Sequence, residues 1–119
     1  MKAKLVLVHW EDAITSTDGW TDISELKSEL ANCVSVGFLV EENDRTITIV
    51  SHVSGDEDGT DIDGSLVVDK NWIKEREDLA ISYTPDKDVG ELVGKWLDGS
   101  LVVDKAKDKL KRKTNAEKN

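Results

Sequence analysis

The hydrophobic positions of the chain run together or alternate in short stretches, a pattern that predicts a sheet rather than a helical bundle. Residues 5–8 are continuously apolar, which is typical of a strand covered on both faces. Residues 33–41 and 46–53 are rich in strand-forming side chains, and the second stretch alternates them with polar ones. Residues 42–45 between them tolerate a left-handed backbone. The sequence therefore predicts a first strand over 4–10 and, later, an antiparallel hairpin.

A short helix is predicted after the first strand. Asp22 suits an N-cap, and Glu25 three residues later completes a capping box. Ile23, Leu26 and Leu30 then fall on one face.

A longer helix is predicted from Thr84, an N-cap residue followed by Pro85 at the first helical position and ended by Gly99. Apolar residues recur inside it at helical spacing and form one stripe: Val89, Leu92, Val93, Trp96 and Leu97. The stripe must be buried against the sheet or against a partner chain. Residues 106–119 are predicted to form a charged helix that frays into disorder.

Further short strands are expected over 65–68 and 72–76, with one more extended piece over 79–83. Residues 54–64 hold five carboxylates and three glycines and are expected to form an exposed loop. Gly37 inside a strand indicates a bulge or a strong bend. The fold class is α+β, mainly β: a small curled antiparallel sheet, or a partly open SH3-like or Sm-like barrel, with a helix after strand 1 and a C-terminal helical extension.

An octapeptide occurs twice in the chain. Residues 63–70 (DGSLVVDK) return, letter for letter, at 98–105. The first copy continues into an apolar segment and the second into a lysine-rich tail, so one local sequence stands in two contexts. An internal duplication accounts for this, and it predicts a small β-rich domain over 1–84 and a helical, basic-tailed extension over 85–119.

The charge layout separates an acidic body from a basic tail. The net charge is −9, composed of −13 over residues 1–94 and +4 over residues 95–119. An acidic body disfavours nucleic acids and anionic membranes as partners and favours a protein with a basic surface. The tail could contact an anion or fold back onto the body, but a solvated helix end is expected. The N-terminal apolar run of four residues is too short for a signal peptide or a membrane span, so a soluble protein in the host cytoplasm is expected.

Candidate chemistry is sparse. Cys33, the single cysteine, excludes an internal disulfide and is expected to be a buried, inert thiol between valines. His9 and His52 could meet across a sheet, but a zinc site needs further ligands and usually closer spacing. The acidic residues 56–63 do not fit the calcium-loop template, because the twelfth position lacks its glutamate. No nucleophile elbow or phosphate loop is present. We expect no catalytic residues, no metal site and no cofactor.

Four tryptophans accompany one phenylalanine and one tyrosine. Trp10 and Trp72 are predicted to lie in the core. Trp20, beside a turn, is the best candidate for an exposed binding residue. Trp96 is expected to seal the C-terminal helix onto the domain or onto a second copy.

Three strings resemble a group of small, uncharacterised bacteriophage and prophage proteins. They are HWEDA at 9–13, DGWT at 18–21 and VSVGFLVEE at 34–42. The family pattern is roughly Trp-x-Asp-Ala, then Gly-Trp-Thr, then Val-Gly-Phe-Leu-Val-x-Glu. The resemblance covers about residues 5–76 and implies a phage origin rather than an activity.

Together these observations predict a non-catalytic phage protein-interaction module, with inhibition of a host defence or regulatory factor as its concrete form. A self-associating virion or assembly protein, an acidic DNA mimic and a small-ligand binder remain alternatives. The expected interaction surface comprises Trp20, the acidic residues Asp56, Glu57, Asp58, Asp61 and Asp63, and the apolar residues Val89, Leu92, Val93 and Trp96.

Overall fold

Strands dominate the regular structure of the chain. The computed structural model describes residues 4–14, 19–56, 59–81, 94–96 and 105–118. In chain order the elements are β1 (Lys4–Asp12), a 3₁₀ turn (Ile23–Glu25), β2 (Ala31–Glu42), β3 (Thr46–Asp56), β4 (Gly59–Asp69), a second 3₁₀ turn (Lys70–Trp72), β5 (Ile73–Leu79) and α1 (Lys105–Lys118). The described part of the protein is therefore mainly β with a C-terminal helix, as the sequence predicts.

The five strands of the described residues belong to one antiparallel sheet, in the order β4-β3-β2-β1-β5. β1 lies between β2 and β5, and it pairs with β2 from Lys4 opposite Leu39 to Asp12 opposite Ala31. The two ends of the sheet, β4 and β5, are consecutive in the chain and are joined by the second 3₁₀ turn alone.

The hairpin predicted over 33–53 is confirmed by the antiparallel pairing of β2 with β3. Asn43 closes its turn, because its side-chain oxygen accepts the backbone N–H groups of Arg45 and Thr46 at 2.8 and 2.9 Å. These bonds satisfy two donors of the turn, which is the role asparagine commonly has there.

The hydrophobic core lies on one face of the sheet. Alternate residues of β1 point into it, and buried positions therefore alternate with half-buried ones along the strand. The core consists of Val6, Val8, Trp10, Leu39, Ile47, Ile49 and Val68, with Cys33, Leu66 and Ile73 packed partly buried against them. Leu5 and Leu7, on the other face of β1, are half-buried. The prediction of a strand covered on both faces therefore holds fully for one face and partly for the second.

The sheet is strongly curled, and an ion pair across it measures the curl. Arg76 on β5 lies opposite Val8 on β1, which in turn lies opposite Ser35 on β2. Glu42 is seven residues further along β2. A flat sheet would separate Glu42 from Arg76 by more than about 20 Å, at a rise of about 3.3 Å per residue. Instead, the guanidinium nitrogens and the carboxylate oxygens of this pair meet at 3.0 and 3.1 Å.

Gly37 lies where β3 leaves β2. A Cβ atom at Gly37 would stand 2.9 Å from the carbonyl oxygen of Val50 and 3.2 Å from the Cβ of Ile49. The two backbones therefore approach more closely than a side chain would allow, which explains the glycine. The register irregularity lies further on, between Leu39 and Glu41. The predicted bulge therefore lies two residues beyond Gly37, and Gly37 itself stands at a close approach of two backbones.

The short helix predicted after β1 is wrong beyond its first turn. The 3₁₀ turn covers Ile23–Glu25, and residues 26–30 have no regular structure. A helix of this length is marginal in water unless its apolar side is buried. Ile23 is 85% exposed, and Leu26 and Leu30 are 51% and 55% exposed. The apolar side that would stabilise the helix is open to solvent.

The acidic loop predicted over 54–64 is also wrong. β3 continues to Asp56 and β4 begins at Gly59, so most of the segment is a hairpin with a continuous antiparallel ladder. The backbone ladder outweighs the local preference of glycine and aspartate for turns, which is a weak prior in sheets. Glu57 and Asp58, at the tip, lie outside the described residues, as does the side chain of Asp56.

The strand predicted over 72–76 exists but is shifted. Trp72 belongs to the 3₁₀ turn, and β5 runs over Ile73–Leu79. The separate extended piece predicted over 79–83 is not present as far as it is described, because Ala80 and Ile81 lie in no strand.

The C-terminal part of the chain packs onto the sheet. Residues 94–96 are helical, and Trp96 is 4% exposed. Its ring meets Phe38 of β2 edge-to-face, with centroids 4.2 Å apart and planes at 74°. α1 confirms the charged helix predicted near the C-terminus.

Two predictions for this region are not covered by the described residues. The first octapeptide copy forms the end of β4 and begins the second 3₁₀ turn, whereas in the second copy only its last residue, Lys105, is described, at the start of α1. The boundary at residue 84 stays a prediction. Outside the described residues lie Val89, Leu92, Val93 and Leu97 of the predicted stripe, and residues 98–104.

Candidate interaction surfaces

The segment between β1 and β2 carries large apolar side chains in solvent. We call residues 19–30 the apolar arm. All of them are exposed, and Trp20 is 106% exposed. The arm leaves the sheet where the paired ends of β1 and β2 meet, at Asp12 opposite Ala31. It therefore projects from a fixed point of the fold, and the predicted exposure of Trp20 is confirmed.

A local hydrogen-bond network fixes the middle of the arm. The Asp22 carboxylate accepts the backbone N–H and the hydroxyl of Ser24, each at 2.9 Å. The backbone N–H bond, followed by the hydroxyl bond, holds the pKa of Asp22 below its ordinary value. Glu25 is not the capping partner that the sequence predicts; its backbone N–H bonds the carbonyl of Asp22 at 2.9 Å. The turn thereby presents Ile23 to solvent instead of folding it inward.

The first half of β2 forms an open sheet edge beside the arm. β3 pairs with β2 only from Phe38 onward, so within the described chain residues 31–37 have β1 as their one neighbouring strand. We call residues 31–37 the uncharged edge, because they contain no Asp, Glu, Lys or Arg. Val34 and Val36 on its outer face are 67% and 50% exposed.

The inner side of the same strand is tied to the core. The indole N–H of Trp10 donates to the Ser35 hydroxyl at 3.0 Å. Cys33 packs partly buried against the core, and its thiol contacts the carbonyl oxygen of Ala31 at 3.8 Å. The prediction that Cys33 is buried is therefore only partly correct. The neighbouring valines point outward and leave its thiol at intermediate exposure.

α1 docks on the start of β4 through a side-chain clamp. The Asp108 carboxylate accepts the backbone N–H of Thr60 at 2.6 Å. Arg112 donates to the other Asp108 oxygen at 2.9 Å and to Asp61 at 2.8 Å. A Cβ on Gly59 would lie 2.6 Å from Asp108 Oδ1, so the bare backbone there permits the close approach.

The clamp overturns the expectation of a solvated helix end. Burial raises the pKa of Asp108, but the bonds from Arg112 and from Thr60 N–H outweigh this and hold that pKa below its ordinary value. Lys105 adds a second link at 2.8 Å to Glu41 on β2. The basic tail therefore folds back onto the acidic body, and opposite charge supplies the reason.

The acidic residues of the predicted interaction surface therefore have different surroundings. Asp61 is paired with Arg112 of the same chain. Asp63 is exposed and lies opposite His52 in the ladder.

The other tryptophans take structural positions. Trp10 is buried at 8% exposure, as predicted. Trp72 is 47% exposed and stacks on Trp10 with centroids 6.5 Å apart, so its assignment to the core is only partly right. Trp96 seals its segment onto the sheet and does not contribute exposed surface. Its buried indole N–H has no hydrogen-bond partner in the described part of the chain.

Glu42 is the centre of an ion cluster on the curled sheet. Its carboxylate meets Lys70 at 2.9 Å and Arg76 through two parallel bonds. The hydrogen bonds from Arg76 and then Lys70 lower the pKa of Glu42 to about 2. Because these charges satisfy one another, the cluster has a structural role in joining β2, β5 and the turn between β4 and β5.

The two histidines do not meet. His9 lies on β1 and contacts the side-chain oxygen of Asn32 at 3.2 Å, whereas His52 lies on β3, with β2 between the two strands. Among the residues described, no three His, Cys, Asp or Glu side chains are grouped to hold a metal ion. None of the described helices has the length and apolarity that a membrane span requires.

Sequence reasoning missed the uncharged edge and the α1 clamp. The clamp had a detectable signal, since Asp108 and Arg112 stand four residues apart on one helix face. The edge had a weaker one, a seven-residue strand segment without charge in a chain that is 34% charged. No protein-family model, curated protein or solved structure matches this chain.

Proposed function

We propose that this protein is a non-catalytic interaction module that binds a partner protein through the apolar arm. The observation that carries the proposal is the exposure of Trp20, Ile23, Leu26 and Leu30 in one continuous segment. Soluble proteins seldom expose contiguous apolar patches unless these bind something. An aromatic side chain can bury on the order of 150–250 Å², so Trp20 offers a large contact area, to which the three aliphatic side chains add.

The residue types in the arm fit a binding role. Tryptophan is enriched among the residues that dominate binding energy, and it works best when surrounded by contacts that exclude water. Trp20 stands three residues before Ile23 on a segment whose turn is held by Asp22. The partner would therefore meet an aromatic anchor next to a partly fixed turn, which reduces the entropy lost on binding.

Charge selects the kind of partner. The net charge of −9 favours association with a protein that carries a basic surface, and it opposes nucleic acid. The clamp engages Asp61, but Asp63 and the acids of the arm, Glu25 and Glu29, remain exposed. Electrostatic steering would raise the association rate, and the arm would supply the contact.

The finer fold and the origin are part of the same proposal. A partly open SH3-like barrel is supported by the curl of the sheet and by the 3₁₀ turn that joins its two outermost strands. The strings at 9–13, 18–21 and 34–42 support a phage origin through the resemblance described above. In that setting the partner is a host defence or regulatory factor that the module inhibits.

Affinity capture with the full chain from phage-infected bacterial cells tests the proposal. The chain should retain a specific partner, and the Ile23→Ser/Leu26→Ser double variant should lose it, because both side chains are exposed and their loss should not disturb the core. Val67→Ser is the matched control, since Val67 is 58% exposed on β4. Binding should also weaken as salt rises. Equal capture by the wild type and the double variant would refute the arm as the binding surface.

A further inference from the structure

The edges of the sheet differ in how they are protected against pairing with another strand. Proteins usually blunt an exposed edge with charges, with short strands or with a covering element. β5 carries five charged residues among seven, at 74–78. β4 carries three aspartates along its length and is covered at its start by α1. Among the described residues, neither device protects the uncharged edge.

The departure of β3 from β2 next to Gly37 creates this edge. β3 leaves β2 after Val50, which faces Phe38, so the two strands no longer bond each other beyond that pair. The part of β3 beyond Val50 ends at Asp56, and two further acidic residues follow it in the sequence. Pairing there between two copies would bring acids together, whereas residues 31–37 of β2 offer β-branched side chains and no charge.

Absence of charge near the two-fold axis favours a symmetric strand pair. When two copies of residues 31–37 pair antiparallel about a two-fold axis over their full length, Val34 lies opposite itself at the axis, and every other residue lies opposite the one equally far on the other side of Val34. A charge at or beside the axis would then lie close to the same charge of the other copy, and such like-charge pairs are destabilising. A seven-residue edge without charge in a chain that is 34% charged satisfies that condition.

We propose that two copies of this chain pair antiparallel through the uncharged edge and so extend the sheet across a two-fold axis. Backbone N–H and C=O groups that have no ladder partner within the described chain would bond between copies. Val34 and Val36 would line the outer face of the joint. This inference goes beyond the proposed function, because the contact is with a second copy and uses a surface different from the apolar arm.

Sedimentation equilibrium of the full chain tests the pairing over low-micromolar to near-millimolar concentration. A monomer–dimer equilibrium is expected, and it should strengthen as salt rises, since the two acidic bodies repel each other. Val34→Lys places two lysines opposite or diagonal to each other and should weaken the dimer by about tenfold or more. Val67→Lys is the matched control: it is an exposed valine on the outer face of β4 and should leave the dimer unchanged.

Hydrogen exchange of the wild-type chain locates the contact without any variant. Amides within residues 31–37 should be protected more strongly at high than at low protein concentration, whereas those of β5 should not change. Three results would each overturn the inference. The chain could remain a monomer at every concentration, or the two lysine variants could weaken the dimer equally. The third is that exchange of the amides in residues 31–37 does not depend on protein concentration. The Ile23→Ser/Leu26→Ser variant separates the two proposals, because it should lose the captured partner and keep the dimer.

Discussion

The Glu42 cluster gives the sharpest test of what holds the curled sheet together. Replacing Glu42 by Gln removes the charge that Arg76 and Lys70 share and keeps the size of the side chain. The pKa of Glu42 lies at about 2 in the folded chain against an ordinary 4.5. At 1.36 kcal/mol per pKa unit this corresponds to about 3 kcal/mol as an upper bound. The Glu42 and Arg76 side chains are 27% and 30% exposed, so screening by water reduces the expected loss to roughly 1–2 kcal/mol.

The sign of the pH dependence follows from the direction of the shift. A carboxyl whose pKa is lower in the folded chain stabilises it fully above the unfolded value, and this contribution is lost as the pH falls towards the folded value. The stability gap between the wild type and Glu42→Gln should therefore be widest above pH 4.5 and close as the pH approaches about 2. Urea unfolding of both proteins at pH 7 and in the acid range measures the gap.

A neighbouring residue supplies the control for this experiment. Glu41 pairs with Lys105, but the two side chains are 42% and 79% exposed. An exposed pair of this kind contributes little, so Glu41→Gln should change the free energy of unfolding by less than about 0.5 kcal/mol. A gap for Glu42→Gln that stays constant from pH 7 down to the acid range would refute the ion cluster as its cause. So would an equal loss in the Glu41 variant.

Two glycines give further predictions. Gly37→Ala should destabilise the chain by about 1–3 kcal/mol in urea unfolding, because the new Cβ would lie 2.9 Å from a backbone carbonyl of β3 that cannot move aside. Gly94→Ala is the control and should not change the free energy of unfolding, because nothing lies within 4 Å of its Cβ. Equal effects of the two substitutions would contradict the close approach at Gly37. Gly59→Ala should speed hydrogen exchange in α1, because its Cβ would displace the Asp108 carboxylate that docks the helix. Gly19→Ala is the control, since it too has a positive φ, of 101°, but touches nothing, and should leave α1 unchanged.

The sequence predicts best the elements whose local chemistry and burial agree. The β2–β3 hairpin could be predicted from the sequence, because its strands are rich in β-branched residues and Asn43 supplies a side-chain oxygen that caps the turn. The charged C-terminal helix could be predicted as well, because its residues have high helix propensity that does not depend on packing. The acidic β3–β4 hairpin could not be predicted, because its glycines and aspartates indicate a loop. Only the pairing with the facing strand shows that the backbone ladder outweighs this local preference.

The candidate surfaces differ in whether the local sequence is enough to predict them. Exposure of Trp20 could be predicted from a turn beside it, which is local information. The docking of α1 could not, because it depends on Arg112 and Asp108 reaching the backbone of Thr60, which is 48 residues away from Asp108 in the chain. The uncharged edge could not either, because its openness follows from the departure of β3 at Gly37, and that is a property of the whole curled sheet.

The failed helix prediction is itself informative about function. The apolar arm has a capping residue, Asp22, and three apolar residues, Ile23, Leu26 and Leu30, at helical spacing. Sequences usually keep local pattern and tertiary packing consistent, and departures concentrate at functional sites. Here the pattern is complete but the side chains that should be buried are more than half exposed. Because no surface in the described chain covers them, the pattern fits burial against a surface outside it. This supports our proposal that a partner protein binds the arm rather than the acidic hairpin, where α1 already occupies Thr60 and Asp61.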